Sequence, residues 1–358
     1  MAENLRKRIA GVLVLAIMVL PLAAGAEEFK LPFTPRVPGK ESKDSCPKPP
    51  KPVVSLKLTS KYGKDGARRD TVDPKSEEEF NAQMKPINDY AKGVIKQAQH
   101  YTETGDPAAA KCALTWLDAW AKGDGLTEME NETAHYKRGT TTSGLSFGLM
   151  QVMPAIKEDV RLPGVQKWLA RLARSSADFY QGEPERNSAR NNHSYWVGLA
   201  EVSAAVVSGD RALFDRGVAS YKKGVCGATK QGALPLEVGR GKKARAYHLY
   251  ALSALVPLAA TAEANGVDAF GMCDGAIHRI VKFSLSAIDD PAPLAEMAEA
   301  EQDPFEDKAA LPPGKQLTFM VLYHQKFPGR APLEEKLMTQ GHFVSTALGG
   351  DQELLYPK

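Results

Sequence analysis

The stretch TGDPAAAKCALTWLDAW, residues 104–120, contains the end of one helix and the start of the next. Gly105 is typical of the position that follows a helix, Asp106 is a typical N-cap, and Pro107 suits a first helical turn. Upstream, apolar residues recur every three or four positions, which predicts a helix with one buried face. The two helices therefore turn back on each other across one short connection. The apolar positions are Ile87, Tyr90, Ala91, Val94, Ile95, Ala98 and Tyr101.

The same pattern returns in SGDRALFDRGV, residues 208–218, where Gly209 ends one helix and Asp210 caps another. No run alternates polar and apolar residues long enough to build a sheet. The sequence predicts an all-α fold, an incomplete (α/α) toroid of antiparallel helix pairs. A HEAT-like or TPR solenoid is the competing architecture, but the chain has no fixed repeat period. Two further helices are marked by Val165, Trp168, Leu169 and Leu172, and by Ala276, Ile277, Ile280, Val281 and Ser284.

The amino terminus has the pattern of a secretory signal. Residues 6–8 are basic, residues 9–22 are apolar, and small residues at 24–26 precede two acids. We expect residues 1–26 to be a signal peptide cut after Ala26, which predicts a periplasmic protein. A membrane anchor is the alternative, but the apolar run is short for one. Residues 27–57 are rich in proline and are expected to wrap an α-helical domain at 58–358 as an extended segment.

Export would place the four cysteines in an oxidising compartment, where disulfides persist. Their spacings match no zinc site, and four cysteines allow three pairings. We favour Cys46 with Cys112, which leaves Cys226 for Cys273. Buried free thiols are the alternative.

The chain has 46 basic and 43 acidic residues, so its net charge is too small for the whole protein surface to attract nucleic acid. Any preference for a polyanion must therefore be local. The chain has 358 residues with 43% hydrophobic content, enough to bury a large core. It shows no coiled-coil pattern, so a monomer is expected.

The stretch NNHSYW, residues 191–196, is a first candidate site. The apolar stripe of its helix begins at Trp196, so Asn191, Asn192 and His193 fall at or just before the helix N-terminus. Amide donors and the positive end of the helix dipole meet there, which suits a carboxylate. An ordinary asparagine cap beside a hydrogen-bonded histidine is the alternative.

The stretch GRGKKARAYHLYALSALVPLAA, residues 239–260, gives a second candidate. Four cations without a neighbouring acid lead directly into tyrosines at a helix start, which favours a polyanion site over a solvated loop. The cations are Arg240, Lys242, Lys243 and Arg245. A third cluster, SKYGKDGARR at 60–69, could form a lid near residues 60–75 or a plain solvated loop. It contributes Lys61, Lys64, Arg68 and Arg69.

These residue types suit elimination better than hydrolysis. Hydrolysis of a glycoside needs two carboxylates, and the motifs hold only Glu237. In a uronate, removal of the C5 proton builds charge on the neighbouring carboxylate, and hydrogen-bond donors must absorb it. Asn192, His193 and Arg240 can supply those donors. A tyrosine near Arg240 can have its pKa lowered enough to exchange a proton, and Tyr247 is that candidate, with an ordinary core tyrosine as the alternative.

NNHSYW, with Arg240 seven positions before Tyr247, resembles the alginate lyases of polysaccharide lyase family 5, the periplasmic poly(β-D-mannuronate) lyases. The similarity includes LTSKY at 58–62, CALTWLDAWAK at 112–122 and LGGD at 348–351, and covers most of the mature chain. The resemblance implies an α/α toroid. It also implies β-elimination at 4-O-linked uronates, without metal or cofactor, that leaves an unsaturated uronate at the new non-reducing end.

The resemblance also assigns roles to residues. Asn192, His193 and Arg240 would neutralise the substrate carboxylate, and Tyr247 would be base and then acid in a syn elimination. Lys61 and Tyr62 in the lid would contact the sugar chain, while Asn191 and Tyr250 would bind the substrate or support the residues that bind it. The family agrees with pairing Cys46 and Cys112.

One departure concerns the helix expected to begin at Lys137, where family members often carry a tryptophan and this chain has Gly139 and Thr140. The substrate is therefore open among polymannuronate, polyglucuronate and hyaluronan. The expected partner is an anionic polysaccharide, without nucleic acid or membrane, with an exopolysaccharide export complex as a further association. Two other classes are a noncatalytic polyanion-binding subunit of a secretion machine and an inverting hydrolase that uses Glu237 or an acid in AEAEQDPFED, residues 298–307.

Overall fold

A computed structural model describes residues 28–62 and 68–357. The predicted signal peptide and residues 63–67 of the predicted lid lie outside this part. None of the described helices combines the length and the apolarity that crossing a membrane requires. The helices are α1 (Pro74–Thr104), α2 (Pro107–Lys122), α3 (Glu132–Ile156), α4 (Leu162–Gln181), α5 (Asn192–Ser208), α6 (Arg211–Cys226), α7 (Pro235–Val238), α8 (Ala244–Ala264), α9 (Met272–Asp289), α10 (Ala292–Ala298), α11 (Phe319–Lys326), α12 (Glu334–Met338) and α13 (Gln352–Leu355).

The described strands form two short ladders of two residues each. Strand β1 (Ser55–Leu56) pairs in parallel with β2 (Glu128–Met129), and β3 (Val344–Ser345) pairs antiparallel with β4 (Gly350–Asp351). The fold is therefore built by helices, as the sequence predicts.

The predicted helix boundaries in the first hairpin are confirmed. Gly105 ends α1 in the left-handed conformation at φ 74°, and the Asp106 carboxylate accepts a hydrogen bond from the Ala108 N–H at the start of α2. Gly209 and Asp210 do the same between α5 and α6. Such short connections force consecutive helices to lie antiparallel.

Successive helix pairs build the predicted incomplete (α/α) toroid. Helices α1, α3, α5, α8 and α11 each contact the next, and α2 contacts α4 as α6 contacts α9. Helices α3, α5 and α8 are buried on nearly all sides, whereas α4 and α6 bury one apolar face. The first group therefore lines the inside of the ring, and the amino ends of α5 and α8 come together there.

The start of α3 differs from the expectation. The helix begins at Glu132 instead of Lys137, because the Asn131 side chain caps it by accepting a hydrogen bond from the Ala134 N–H at 3.0 Å. Gly139 packs on α5, where an added Cβ would lie 3.2 Å from the Val197 side chain. The earlier start places Lys137 in the second turn of the helix.

The proline-rich segment lies along α1 and α2 without regular secondary structure before β1. The Tyr101 hydroxyl donates to the Arg36 carbonyl at 2.7 Å, and the Trp116 and Trp120 indoles donate to the Pro47 and Pro50 carbonyls at 2.8 and 3.0 Å. The segment forms no helix, so side chains of α1 and α2 provide the hydrogen-bond donors for these backbone carbonyls.

Both predicted disulfides are formed. Cys46 is bonded to Cys112, which fixes the proline-rich segment to α2, and Cys226 is bonded to Cys273, which joins α6 to α9. The pairing that we favoured from the sequence is therefore confirmed.

Candidate active site

A cavity of about 530 Å³ opens where the amino ends of α5 and α8, the first turns of α3, residues 60–62 and Arg69 meet. Its described lining contains no aspartate or glutamate, so the side chains that face it suit an anion. Arg240 and Asn191 stand behind this lining. Six of the predicted site residues line the cavity: Lys61, Tyr62, Asn192, His193, Tyr247 and Tyr250.

The asparagines at the start of α5 hold the helix end. The Asn191 side chain is the N-cap and accepts from the His193 N–H at 3.0 Å. The backbone N–H of Asn192 donates to Glu237 at 2.7 Å, and its side-chain amide contacts both Glu237 oxygens at 3.1 and 3.0 Å. The Asn192 amide group, expected to point its donors at a substrate, is therefore engaged by a protein carboxylate. The Asn192 Oδ1 atom is buried and lacks a partner among the described residues.

Glu237 lies beneath the cavity floor and is fully buried. Burial raises the pKa of its carboxyl to about 7, while the hydrogen bonds from Asn192 and the Arg240 charge act in the opposite direction. A carboxyl in this place cannot reach a sugar, so the prediction that Glu237 could serve a hydrolase is wrong. Among the acids of AEAEQDPFED, Glu299, Asp303 and Glu306 form ion pairs with Arg68, Lys243 and Lys315.

His193 is held in this cavity among aromatic rings, with the Glu132 carboxylate 3.7 Å from its Nδ1. Its ring stacks on Tyr136 at 4.0 Å between centroids, and its Nδ1 lies 3.2 Å from the Tyr180 hydroxyl. Burial lowers the pKa of His193 to about 3, and the nearby charges of Arg240, Arg69 and Lys137 act in the same direction. His193 can therefore offer a substrate carboxylate a ring N–H but no formal charge.

Tyr247 and Arg240 form the predicted pair. The Arg240 Nη2 donates to the Tyr247 hydroxyl at 2.7 Å, and the guanidinium lies 3.6 Å from the centroid of the tyrosine ring. Burial nevertheless raises the pKa of Tyr247 far above its usual value, Tyr62 adds to the rise, and Arg240 only partly opposes it. The expected lowering of this pKa is wrong for the unliganded site, because desolvation of the phenolate outweighs one neighbouring cation.

The described part of residues 60–75 closes over the cavity. The Tyr62 hydroxyl forms a hydrogen bond with the Tyr247 hydroxyl. Arg240 donates to the Arg68 and Arg69 carbonyls at 2.8 and 2.6 Å, so it anchors this segment as well as the tyrosine. Lys61, expected to contact sugar, forms an ion pair with Glu77 at 3.0 Å.

Gly241 allows the segment to approach this closely. Its backbone is left-handed at φ 56°, and a Cβ there would lie 2.9 Å from an Asp70 carboxylate oxygen and 3.1 Å from the Arg68 side chain.

Comparison with known proteins identifies the family. The alginate lyase family model matches residues 60–294. An alginate lyase of Azotobacter vinelandii is 31% identical over 359 residues, which cover 97% of this chain and 94% of that protein. This chain belongs to the alginate lyase family. An alginate lyase of Pseudomonas aeruginosa PAO1 is 34% identical over 271 residues, 74% of this chain and 73% of that protein.

The fold agrees with that of a solved member of the alginate lyase family. Alginate lyase A1-III from Sphingomonas species A1 superimposes with a TM-score of 0.73 at 26% identity, over 90% of this chain and 89% of that chain. Complexes of A1-III with a tetrasaccharide have been solved for a histidine-to-alanine variant and a tyrosine-to-phenylalanine variant, with TM-scores of 0.76 and 0.77.

The cations predicted as a second site, at residues 240–245, do not all face the cavity. Lys243 lines the cavity and pairs with Asp303 at 3.4 Å. Arg245 is buried, donates to the Asp303 carbonyl at 2.5 Å and stacks over Phe305 at 3.9 Å. The expectation of cations without an acid nearby is wrong, because residue 303 returns to them from a distant part of the chain. Arg245 therefore serves packing and does not face the cavity.

Two residues of the candidate site, Tyr136 and Lys137, were missed in the sequence. Tyr136 stacks on His193, and its hydroxyl forms a hydrogen bond with that of Tyr250, while Lys137 faces the same cavity. Their signal was present in the basic and aromatic residues HYKR at 135–138, which span the helix start that we expected at Lys137. Only the corrected start of α3 places them beside α5 and α8.

Proposed function

We propose that this protein cleaves 4-O-linked uronate polymers, above all polymannuronate, by a metal-free syn β-elimination. One observation carries the proposal. The Tyr247 hydroxyl lies against Arg240 and His193 lines the same cavity, whose described lining is free of carboxylates. An ionisable hydroxyl beside donors for a carboxylate is what proton abstraction next to that carboxylate requires.

The reaction needs one proton removed and one returned. Tyr247, as phenolate, takes the C5 proton, and the electrons of that C–H bond form the C4–C5 double bond as the C4–O4 bond breaks. The departing oxygen stays on the anomeric carbon of the preceding sugar and takes the proton from Tyr247. That transfer leaves Tyr247 as phenolate, with an unsaturated uronate on one product and a reducing end on the other. After product release the phenolate takes a proton from water, and it must give a proton back to water as the next substrate binds.

The phenolate is the costly species in this scheme, since Tyr247 is protonated in the unliganded site. Arg240 at 2.7 Å stabilises negative charge on the Tyr247 oxygen, whereas the neighbouring Tyr62 raises the pKa of that hydroxyl. His193, with its ring N–H, and the cation Arg69 line the space where charge grows on the substrate carboxylate. Catalysis would use this fixed set of donors without rearrangement.

The substrate class is supported by the relatives and by charge. The proteins of Azotobacter vinelandii and Pseudomonas aeruginosa are named alginate lyases, and A1-III binds a tetrasaccharide. A lining of cations and tyrosines attracts a polyanion and repels a metal cation. Polyglucuronate and hyaluronan are the substrates to compare with polymannuronate.

We also propose that the protein acts in the periplasm as a monomer. The disulfides Cys46–Cys112 and Cys226–Cys273 support an oxidising compartment. Mass spectrometry of the protein from a periplasmic fraction would test this, with an amino terminus at Glu27 as the expected result.

The test of the reaction is ultraviolet absorbance over time on polymannuronate, polyguluronate, polyglucuronate and hyaluronan. We expect the double bond to appear fastest on polymannuronate, with or without EDTA. Reducing ends without the ultraviolet signal would indicate hydrolysis. Binding without either signal would indicate a noncatalytic polyanion-binding protein.

A further inference from the structure

Lys137 is a half-buried cation of the cavity wall that lacks an acidic partner among the described residues. The side chain is half-buried, and its ammonium forms neither a hydrogen bond nor an ion pair with any residue in 28–62 or 68–357. Lys61 lies on the same Phe80 ring, at 4.8 Å against 5.6 Å for Lys137, but Glu77 neutralises it at 3.0 Å. The two lysines thus share one aromatic ring, and only one of them has a counter-ion there.

Holding this charge is unfavourable in the unliganded protein. Burial lowers the pKa of Lys137 to about 8, and the neighbouring Lys61 charge acts in the same direction. A desolvated cation without an acidic partner reduces the stability of a folded protein. The site is therefore arranged for an anion that comes from outside the described chain.

Lys137 also stands between two cavities. With Tyr250 it lines both the 530 Å³ cavity and a neighbouring one of about 200 Å³. The smaller cavity is lined by hydroxyl groups of Thr140, Thr141 and Thr318, and by Lys315. Hydroxyl groups beside an aromatic ring are suited to a sugar, and the lysine side chain is shared by the walls of both cavities.

We propose that Lys137 binds the carboxylate of a uronate adjacent to the one that loses its C5 proton, with the sugar ring of that neighbour in the smaller cavity. This inference rests on the proposed function and gives it a binding residue. Lys137 is a binding and specificity residue here, because the reacting carboxylate lies toward His193 and Tyr247. A neutral sugar at the adjacent position would leave the ammonium unpaired, so the site selects chains with consecutive uronates.

The test is Lys137→Met, which keeps the length of the side chain and removes its charge. On polymannuronate we expect KM to rise about tenfold or more, the effect of one lost charge-assisted hydrogen bond, while kcat at saturation stays within about twofold. Lys137→Arg should recover most of the loss. Lys157→Met is the matched control, since Lys157 follows the same helix, is exposed, and changes net charge equally.

Two measurements separate binding from folding and from the proposed reaction. Lys137→Met should melt at the wild-type temperature or above, because it removes a half-buried charge that lacks an acidic partner. In a Tyr247→Phe background, calorimetric titration with a mannuronate tetrasaccharide should give a Kd about tenfold higher when Lys137 is also changed. This titration tests Lys137 even if the wild type cleaves no polymer, in which case only the proposed reaction fails.

Three results would overturn the inference. An unchanged KM and Kd would remove Lys137 from the binding site. A loss confined to kcat would place it on the reacting carboxylate. A lower melting temperature with loss of all activity, for both Lys137→Met and Lys137→Arg, would make the residue structural.

Discussion

The Tyr247 hydroxyl accepts a hydrogen bond from Arg240 Nη2 at 2.7 Å, and the same guanidinium holds the backbone of residues 68 and 69. One side chain therefore joins the proposed proton carrier to the segment that covers it. The position of residues 68 and 69 and the placement of a cation beside the phenol therefore depend on the same side chain. Arg240 lies 9% exposed beneath both, so water competes little for its hydrogen bonds.

The first prediction concerns the Tyr247 hydroxyl. Tyr247→Phe should lower kcat on polymannuronate by about 10² to 10⁴, because it removes the group that moves the proton. KM should change little, since the ring and the cavity shape stay. The control is Tyr101→Phe, which removes a hydrogen bond to Arg36 far from the cavity. Turnover near the wild-type rate in Tyr247→Phe would assign the proton transfer to another group.

The second prediction concerns the carboxylate below Asn192. Glu237→Ala should leave a buried N–H and a side-chain amide without their acceptor, at a cost of about 1–3 kcal/mol in the free energy of unfolding. It should also lower kcat, because Asn192 and the start of α5 lose their anchor. Urea unfolding and steady-state kinetics would measure the two effects. A variant with wild-type stability and kinetics would contradict this role.

The pH dependence of stability follows from the same residue. The folded-state pKa of Glu237 is raised to about 7 from an ordinary 4.5, so the folded state binds the proton more tightly than the unfolded state. The contribution of this group to stability is therefore full below about pH 4.5 and is lost as the pH rises to about 7. In Glu237→Gln that loss should be absent, and unfolding curves at several pH values would measure the difference. Parallel pH profiles for the two proteins would contradict it.

The third prediction is that His193 does not titrate near neutrality. Burial and three cations lower its pKa to about 3, so the ring should stay neutral between about pH 5 and about pH 8. The NMR shifts of its ring protons should be constant over that range. Free imidazole in the same buffer serves as the reference. A shift of the His193 signals near pH 6.5 would show a charged imidazole in the cavity.

The fourth prediction uses a matched pair of glycines. Gly241→Ala and Gly266→Ala both place a side chain at positive φ, 56° and 83°, and each should cost about 1–2 kcal/mol of stability. Only at Gly241 would the new methyl group meet Asp70 and Arg68, so only that variant should raise KM by displacing the cover. Equal kinetics in the two variants would show that the contact of Gly241 with Arg68 and Asp70 does not affect catalysis.

The fifth prediction concerns Cys46 and Cys112, which are 66 positions apart. Replacing both by serine should lower the free energy of unfolding by roughly 4 kcal/mol, because the bond restricts a long loop in the unfolded chain. The kcat should be retained, since the bond lies outside the cavity lining. A loss of activity at equal folded fraction would contradict this separation.

The sequence predicts the helix pairs well because their boundaries are local. Gly105, Asp106, Gly209 and Asp210 end and start helices through their own backbone and side-chain preferences. The same holds for Asn191, whose capping role follows from the six residues around it. Local patterns therefore carried both the fold class and the place of the first motif.

Contacts between distant segments were not predictable from one sequence. Glu237 meets Asn192 across 45 positions, and Tyr62 meets Tyr247 across 185. The shift of the Tyr247 pKa depends on burial that only the assembled ring creates. Asp303 likewise reaches Lys243 through tertiary structure alone.

The proline-rich segment has a consequence for the order of folding. Its first described residues contact parts of the chain that are synthesised much later. The Lys30 N–H donates to Asn265 across 235 positions, and Phe29 packs on Phe214 with ring centroids 4.9 Å apart. Such distant pairing comes late, because the intervening helices must be in place first. We therefore expect the amino-terminal end of the segment to pack last, onto a ring of helices that has already formed.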